Sequence, residues 1–142
     1  MPLTESIQIT SVSVPVSDQE QAREFYVDTL GFELLVDNSE RVGMAWIEVA
    51  PEGSVISLML VSWLDPLFTS MYRVIVFATD DIQSIHEELV AKGVSFDLPP
   101  TELSNGMQAM FRDPDGNALV LLERSSFAMK EGARRGSGRA RT

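Results

Sequence analysis

The stretch FRDPDGNALVLLE, residues 111–123, places a tight turn between two apolar runs. Pro114 presets the backbone for a turn, Gly116 can adopt a positive φ, and the neighbouring Asp and Asn side chains can bond the local backbone. The flanking runs, MQAMFR (107–112) and ALVLLE (118–123), are typical of strands. This stretch therefore predicts a β-hairpin.

The residues before the hairpin predict a strand, a helix and a further strand. Asp80 and Asp81 supply caps for a helix that Gly93 ends. The predicted strands on either side of this helix are RVIVFAT (73–79) and VSFDL (94–98). Residues 73–124 are therefore expected to form one β-α-β-β-β module.

The first half of the chain repeats this order, 63 positions earlier. Ser17 and Glu20 have the spacing of a capping box, which predicts a helix from about Asp18 to Leu30. Gly31 ends this helix. The predicted strands are IQITSVSVPV (7–16), FELLV (32–36), VGMAWIEV (42–49) and SVISLMLVS (54–62). The first module thus covers about residues 7–62.

The hairpin stretch follows KGVSFDLPP (92–100), and the first module contains VSVPVSDQEQAREFYVDTLGF (12–32). Together these segments closely resemble the vicinal oxygen chelate superfamily, which includes glyoxalases, bleomycin-resistance proteins and extradiol dioxygenases. The resemblance implies an α+β fold in which two βαβββ modules form a cup-shaped mixed sheet with helices on the outside. We expect one domain of this type over residues 1–125 and a flexible basic tail over 126–142.

The resemblance also implies where a metal would bind, because metal-dependent members take one ligand from the first and last strand of each module. Those four positions are Ser11, Ser57, Val74 and Val120 here. A divalent ion needs anionic oxygen or imidazole donors, and none of the four residues provides one. The single histidine, His86, falls on the second predicted helix, away from the cup. We therefore expect no metal site and no cofactor.

Strand alternation predicts which side chains would line the cup. The predicted ligand-binding residues are Ser11, Ser13, Trp46, Ser57, Met59, Val74, Met110 and Val120. For the middle strand of the first module, either Trp46 and Met44 or their neighbours Ala45 and Ile47 face inward. Two interpretations of this small, apolar interior stay open: a ligand pocket with a few hydroxyl groups, or a packed core.

The composition and charge of the chain limit the classes of partner that it can bind. The formal net charge is −10, and residues 130–142 carry five basic residues and one acidic residue, so the rest of the chain is more acidic still. An acidic body repels nucleic acid and attracts a cationic small molecule. There is no cysteine, which excludes disulfides and thiolate chemistry. No apolar run suits a membrane span and the first residues lack signal-peptide features, so we expect a cytoplasmic bacterial protein.

Three functions fit these features. The first is a metal-free binding protein, resembling bleomycin-resistance proteins, that sequesters a cationic or aromatic compound in the apolar cup. The alternative is an enzyme with an atypical site, related to glyoxalase-like lyases, isomerases or dioxygenases, for which Glu48 and Tyr72 are the acid–base candidates. The third is an interaction or structural protein with a filled cup. The resemblance favours a homodimer.

Overall fold

A computed structural model of the chain describes residues 7–38, 46–62, 73–104 and 106–123. The chain divides into two compact units. The first is built on the N-terminal half together with the turn residues Pro114–Gly116, and the second on the rest of the C-terminal half. The tail predicted over residues 126–142 lies outside the described residues.

The first unit contains a four-stranded mixed sheet and one helix. Its elements are β1 (Ser11–Pro15), α1 (Gln19–Arg23), a π-helical segment (Glu24–Thr29), β2 (Glu33–Asp37), β3 (Ile47–Ala50) and β4 (Ser57–Val61). The strand order is β1-β4-β3-β2, in which β1 and β4 run parallel and the other pairs are antiparallel.

The second unit repeats this arrangement. Its elements are β5 (Val74–Thr79), α2 (Ile82–Ala91), β6 (Phe96–Leu103), β7 (Gly106–Arg112) and β8 (Ala118–Glu123). The order is β5-β8-β7-β6, again with the outer strand β5 parallel to β8. The α+β class and the twofold βαβββ plan predicted from the sequence are therefore confirmed. Neither helix in the described ranges has the length and apolar character that a membrane crossing requires.

The start of α1 differs from the prediction by one residue. Asp18, not Ser17, is the N-cap: its backbone is extended, and Asp18 Oδ1 accepts hydrogen bonds from the amides of Glu20 and Gln21. The Ser17 amide instead donates to Asp115 Oδ1, at 2.9 Å. The capping-box prediction was wrong because a carboxylate one position later is a stronger acceptor for the free amides of the first turn.

The predicted helix from Asp18 to Leu30 is present, but its second half is a π-helical segment. Tyr26 in this segment is fully buried, and its ring lies edge-on to Phe25 with ring centres 5.4 Å apart. The tilted ring of Phe32 packs on the other side at 5.9 Å. The three rings thus form a local aromatic cluster around the end of the segment.

Each sheet buries the face that its helix covers. In the first unit, Val14, Leu60 and Ile47 lie side by side on β1, β4 and β3 and are almost completely buried. Helix α1 packs against β3 and β4. In the second unit, α2 packs against β6, β7 and β8, and the buried pair Leu119 and Phe111 lies in the core.

Helix α2 is fixed at its N-terminal end by two polar contacts. Asp81 caps it by accepting from the Ser84 amide at 3.1 Å, and Glu123 Oε1 accepts from the Ile82 amide at 3.0 Å. Glu123 therefore faces the helix rather than the open side of the sheet. The helix ends before Gly93, whose φ of +95° is favourable only for glycine.

The DPDGN turn between β7 and β8 is stabilised by hydrogen bonds among its own residues. The amide of Asp113 donates to the Asn117 carbonyl at 3.0 Å, and Asn117 returns two hydrogen bonds to the Asp113 carboxylate, each at 2.9 Å. Both side chains are buried, Asp113 at 5% and Asn117 at 1% exposure. Gly116 takes a φ of +94° between them. The motif thus contains a buried polar pair that fixes the geometry of the hairpin.

The two units are not an exact copy at the level of strand pairing. Ser11 lies opposite Ser57 in the first unit, but Val74 lies opposite Ala118 in the second, and Val120 lies opposite Val76. Val120 thus lies two residues beyond the position opposite Val74, so the offset of 63 residues does not carry the pairing of Ser11 and Ser57 into the second unit. Because side chains alternate with a period of two, Val120 still shares a sheet face with Val74.

Candidate functional site

The face of the first sheet that points away from α1 carries the predicted serines. Ser11 pairs with Ser57, and Met59 has Ser13 on one side and Glu48 on the other. We call these five residues the serine face. The structure therefore brings together four of the residues predicted to line the site, and adds Glu48 to them.

Glu48 is the best-organised polar group on the serine face. Ser57 Oγ donates to Glu48 Oε1 at 2.6 Å, and the indole nitrogen of Trp46 donates to Glu48 Oε2 at 2.5 Å. Ser57 is only 4% exposed, whereas Trp46 and Glu48 are half-buried. Each carboxylate oxygen thus has one neutral donor, which fixes the direction of the carboxylate.

The position of Trp46 is fixed at the backbone. Its amide donates to Asn38 Oδ1 at 2.6 Å, and its carbonyl accepts from the Asn38 amide at 3.0 Å. The alternative in which Ile47 faces the open side is wrong, because Ile47 pairs with Leu60 on the buried, helix-covered face. Met44 and Ala45 lie outside the described residues.

Sequence reasoning found no partner for Glu48, and the structure shows two. The missing information is the register of the β3–β4 pair, which sets Glu48 opposite Met59 and so places Ser57 within reach. The spacing of Trp46 and Glu48 along one strand was a usable signal, since residues two apart share a face. Tyr72, the other acid–base candidate, lies outside the described residues.

The face of the second sheet that points away from α2 is apolar at its centre, between Gln108 and Arg112 of β7. Val76 lies opposite Val120, which in turn lies opposite Met110, and Val74 follows on the same side of β5. We call these four residues the valine face. Val74 and Val76 are 69% and 57% exposed, a large fraction for β-branched side chains. The predicted residues Val74, Met110 and Val120 therefore share one exposed surface.

The side chains at the four family metal positions do not fit a divalent ion. Two hydroxyl groups and two valines offer neither carboxylate nor imidazole donors. The two-residue shift in pairing brings Ala118 opposite Val74, and alanine supplies no donor either. Across the described ranges, no three His, Cys, Asp or Glu side chains come close enough together to hold a metal ion.

Comparisons with known proteins agree with the fold. The family model described as the Glyoxalase/Bleomycin resistance protein/Dioxygenase superfamily matches residues 8–121. The chain is similar to the crystal structure of TnmS3, an antibiotic binding protein from Streptomyces sp. CB03234, with 41% identity, a TM-score of 0.75, and coverage of 82% of this chain and 95% of that one.

Two further matches have similar coverage. A glyoxalase/bleomycin resistance protein from Streptomyces sp. CB03234 is 41% identical, with a TM-score of 0.71 over 82% of this chain and all of that one. The protein YetH from Bacillus subtilis (strain 168) is 32% identical over 117 residues, which are 82% of this chain and 98% of YetH.

Proposed function

Since this chain belongs to the Glyoxalase/Bleomycin resistance protein/Dioxygenase superfamily, we propose that it is a binding protein that sequesters a small molecule. In this proposal the ligand is held without a metal and leaves unchanged. The family includes metal enzymes as well as binding proteins, so the choice between these activities rests on the residues of the site.

The observation that carries the proposal is the exposed valine face. A sheet surface with Val74 at 69% and Val76 at 57% exposure leaves β-branched apolar area in water. Exposed apolar patches of this kind mark binding surfaces in soluble proteins, because covering them is favourable by roughly 25 cal/mol for each Å² removed from water. An aromatic or aliphatic ligand body would supply that cover.

The donor chemistry supports binding over metal catalysis. The family's metal-dependent activities place the ion on donors from the first and last strands, and here those positions carry two hydroxyls and two aliphatic side chains. The similar protein TnmS3 is described as an antibiotic binding protein. We therefore propose an antibiotic or a compound of similar size and apolar character as the ligand.

The ligand-contacting residues in this proposal are those that strand alternation predicted, and they lie on the two faces or, for Trp46, beside the serine face. They are Ser11, Ser13, Trp46, Ser57 and Met59 in the first unit, and Val74, Met110 and Val120 in the second. The serines supply a small number of polar contacts, and the methionines supply adaptable apolar surface. We also propose that the protein acts in the cytoplasm as a homodimer, which light scattering coupled to size-exclusion chromatography would test by a mass of twice 15.7 kDa.

The role of the valine face in ligand binding can be tested by introducing one charged side chain there. We expect Val76→Asp to abolish binding of aromatic antibiotics in isothermal titration, because it buries a carboxylate against an apolar ligand. The matched control is Val90→Asp on α2, since Val90 is similarly exposed at 48% but lies outside both faces. Equal binding by the two variants would show that the valine face is not the site.

A further inference from the structure

We infer that Glu48, oriented by Ser57 and Trp46, binds a cationic nitrogen of the ligand, so that the preferred ligand is an aromatic or other apolar compound carrying a protonated amine. This inference rests on the proposed function and adds to it the chemical class of the ligand. It assigns a polar anchor on strand β3, which is not one of the four family metal positions.

The carboxylate of Glu48 has free acceptor capacity. A carboxylate offers about four lone-pair sites, and the hydroxyl of Ser57 and the indole of Trp46 occupy one on each oxygen. Both donors are neutral, so they orient the carboxylate without cancelling its charge. None of the ion pairs among the described residues includes Glu48.

The surroundings strengthen the attraction for a cation. Glu48 is half-buried and lies beside Met59, so a charge pair formed there is screened less than one in open water. The chain as a whole carries a net charge of −10, which raises the local concentration of cations and repels anionic compounds. A planar ligand body would also find the Trp46 ring next to the anchor.

A metal ion is the weaker candidate for this anchor. Calcium and magnesium take several oxygen ligands, usually with more than one carboxylate. Glu48 is one carboxylate among hydroxyl, thioether and indole groups, and no metal-holding cluster of His, Cys, Asp or Glu occurs in the described ranges. A protonated amine needs only one carboxylate and a hydrogen-bond direction, which is what Glu48 provides.

The test uses matched fluorescent probes with the full-length protein. The probes are 1-(aminomethyl)naphthalene and 9-(aminomethyl)anthracene, each compared with its neutral N-acetyl derivative. We expect the wild-type protein to bind each amine about tenfold more tightly than its acetamide, since a charge-assisted hydrogen bond exceeds a neutral one by roughly that factor. In Glu48→Gln, which preserves the shape of the side chain, this preference should disappear.

The matched control is Glu52→Gln, which removes the same single charge from an exposed turn residue. It should keep the tenfold preference. Equal binding of amines and acetamides by the wild-type protein, or an unchanged preference in Glu48→Gln, would overturn the role of Glu48 and leave the proposed function intact. If none of the four probes binds the wild-type protein, the inference and the aromatic form of the proposed function both fail. The comparison within the wild-type protein holds even if a variant does not fold.

Discussion

Ser57 shows how one hydroxyl is used at a position where a metal-dependent relative would place a ligand. Ser57 Oγ lies 2.6 Å from Glu48 Oε1 and 3.5 Å from the Thr10 carbonyl. A hydroxyl has a single proton to donate, and the nearer carboxylate is a stronger acceptor than the carbonyl. The serine therefore uses its only proton to orient Glu48 and can meet a further partner only as an acceptor.

Replacing Ser57 should lower the stability of the protein and also release Glu48 from its fixed orientation. We expect Ser57→Ala to lower the free energy of unfolding by about 1 kcal/mol, because a nearly buried hydrogen bond to a carboxylate is lost. Urea denaturation measures this loss. Ser62→Ala, at an exposed serine just beyond β4, should change the midpoint little. A Ser57→Ala variant as stable as the wild type would show that the hydrogen bond to Glu48 contributes nothing.

At the residue scale, alternation along the strands predicted the faces correctly. Ser11, Ser13, Ser57 and Met59 share one side, as the pattern indicated. What the pattern could not supply is the lateral register, which depends on how the segment between β3 and β4 folds. For that reason the sequence does not predict the two hydrogen-bond donors of Glu48.

At the scale of elements, the DPDGN turn combines a sequence signal with a buried polar pair. Asp113 and Asn117 exchange three hydrogen bonds and are both almost inaccessible to water. The turn chemistry of Pro114 and Gly116 was readable from the sequence, because each residue has a backbone preference of its own. The reciprocal bonding of the flanking Asp and Asn depends on burial, which a turn pattern does not specify.

The buried pair of Asp113 and Asn117 predicts that two aspartates contribute unequally to stability. Asp113→Ala should lower the free energy of unfolding by roughly 1–3 kcal/mol, because it removes both hydrogen bonds that the buried Asn117 nitrogens donate to the Asp113 carboxylate. Asp97→Ala removes a carboxylate that pairs with Arg112 at 2.6 Å, but about half of each of those side chains is exposed. It should cost at most about 1 kcal/mol. Similar losses from both variants in urea denaturation would contradict the structural role of the turn.

Helix α2 should make the stability of the protein depend on acidity. Hydrogen bonds from Ser84, chiefly its backbone amide, hold the pKa of Asp81 below its ordinary value. A carboxyl group with a lowered folded-state pKa stabilises the fold above its unfolded-state pKa, and this contribution is lost as pH falls through the folded-state pKa. Asparagine caps a helix as well as aspartate does but does not titrate.

We therefore expect Asp81→Asn to remain folded at neutral pH and to lose less stability on acidification than the wild type does. Asp81→Ala should be less stable than both at neutral pH, because it removes the cap entirely. Thermal melts from neutral to strongly acidic pH measure both effects. Identical acid profiles for the wild type and Asp81→Asn would show that this carboxylate does not contribute.

The elements themselves were largely predictable, and their ends were not. Strand β8 has the predicted bounds, whereas β6 runs to Leu103, through Pro99 and Pro100. Proline is tolerated there because β6 is the outer strand of its sheet and because its pairing with β7 shifts register between Leu98 and Thr101, so neither proline is paired in the regular ladder. The π-helical segment after α1 was not predictable from the sequence, because local helix propensity gives no sign of it.

At the scale of the whole molecule, duplication has produced two sheets with different open surfaces. The first presents hydroxyls and an oriented carboxylate, and the second presents exposed valines. Equivalent strands therefore carry unequal chemistry, and the repeat predicts architecture without predicting function. A ligand that combines a cation with an apolar body has the chemical features that both surfaces favour.

The measurement that tests this account most directly is native mass spectrometry of EDTA-dialysed protein mixed with aromatic and cationic glycopeptide antibiotics. The account predicts a complex with at least one of these compounds, formed equally well before and after the addition of Ni, Zn, Mn or Fe, from which the compound is recovered with unchanged mass. Binding that appears only when a metal is restored, recovery of a chemically altered compound, or no complex with any compound would contradict it.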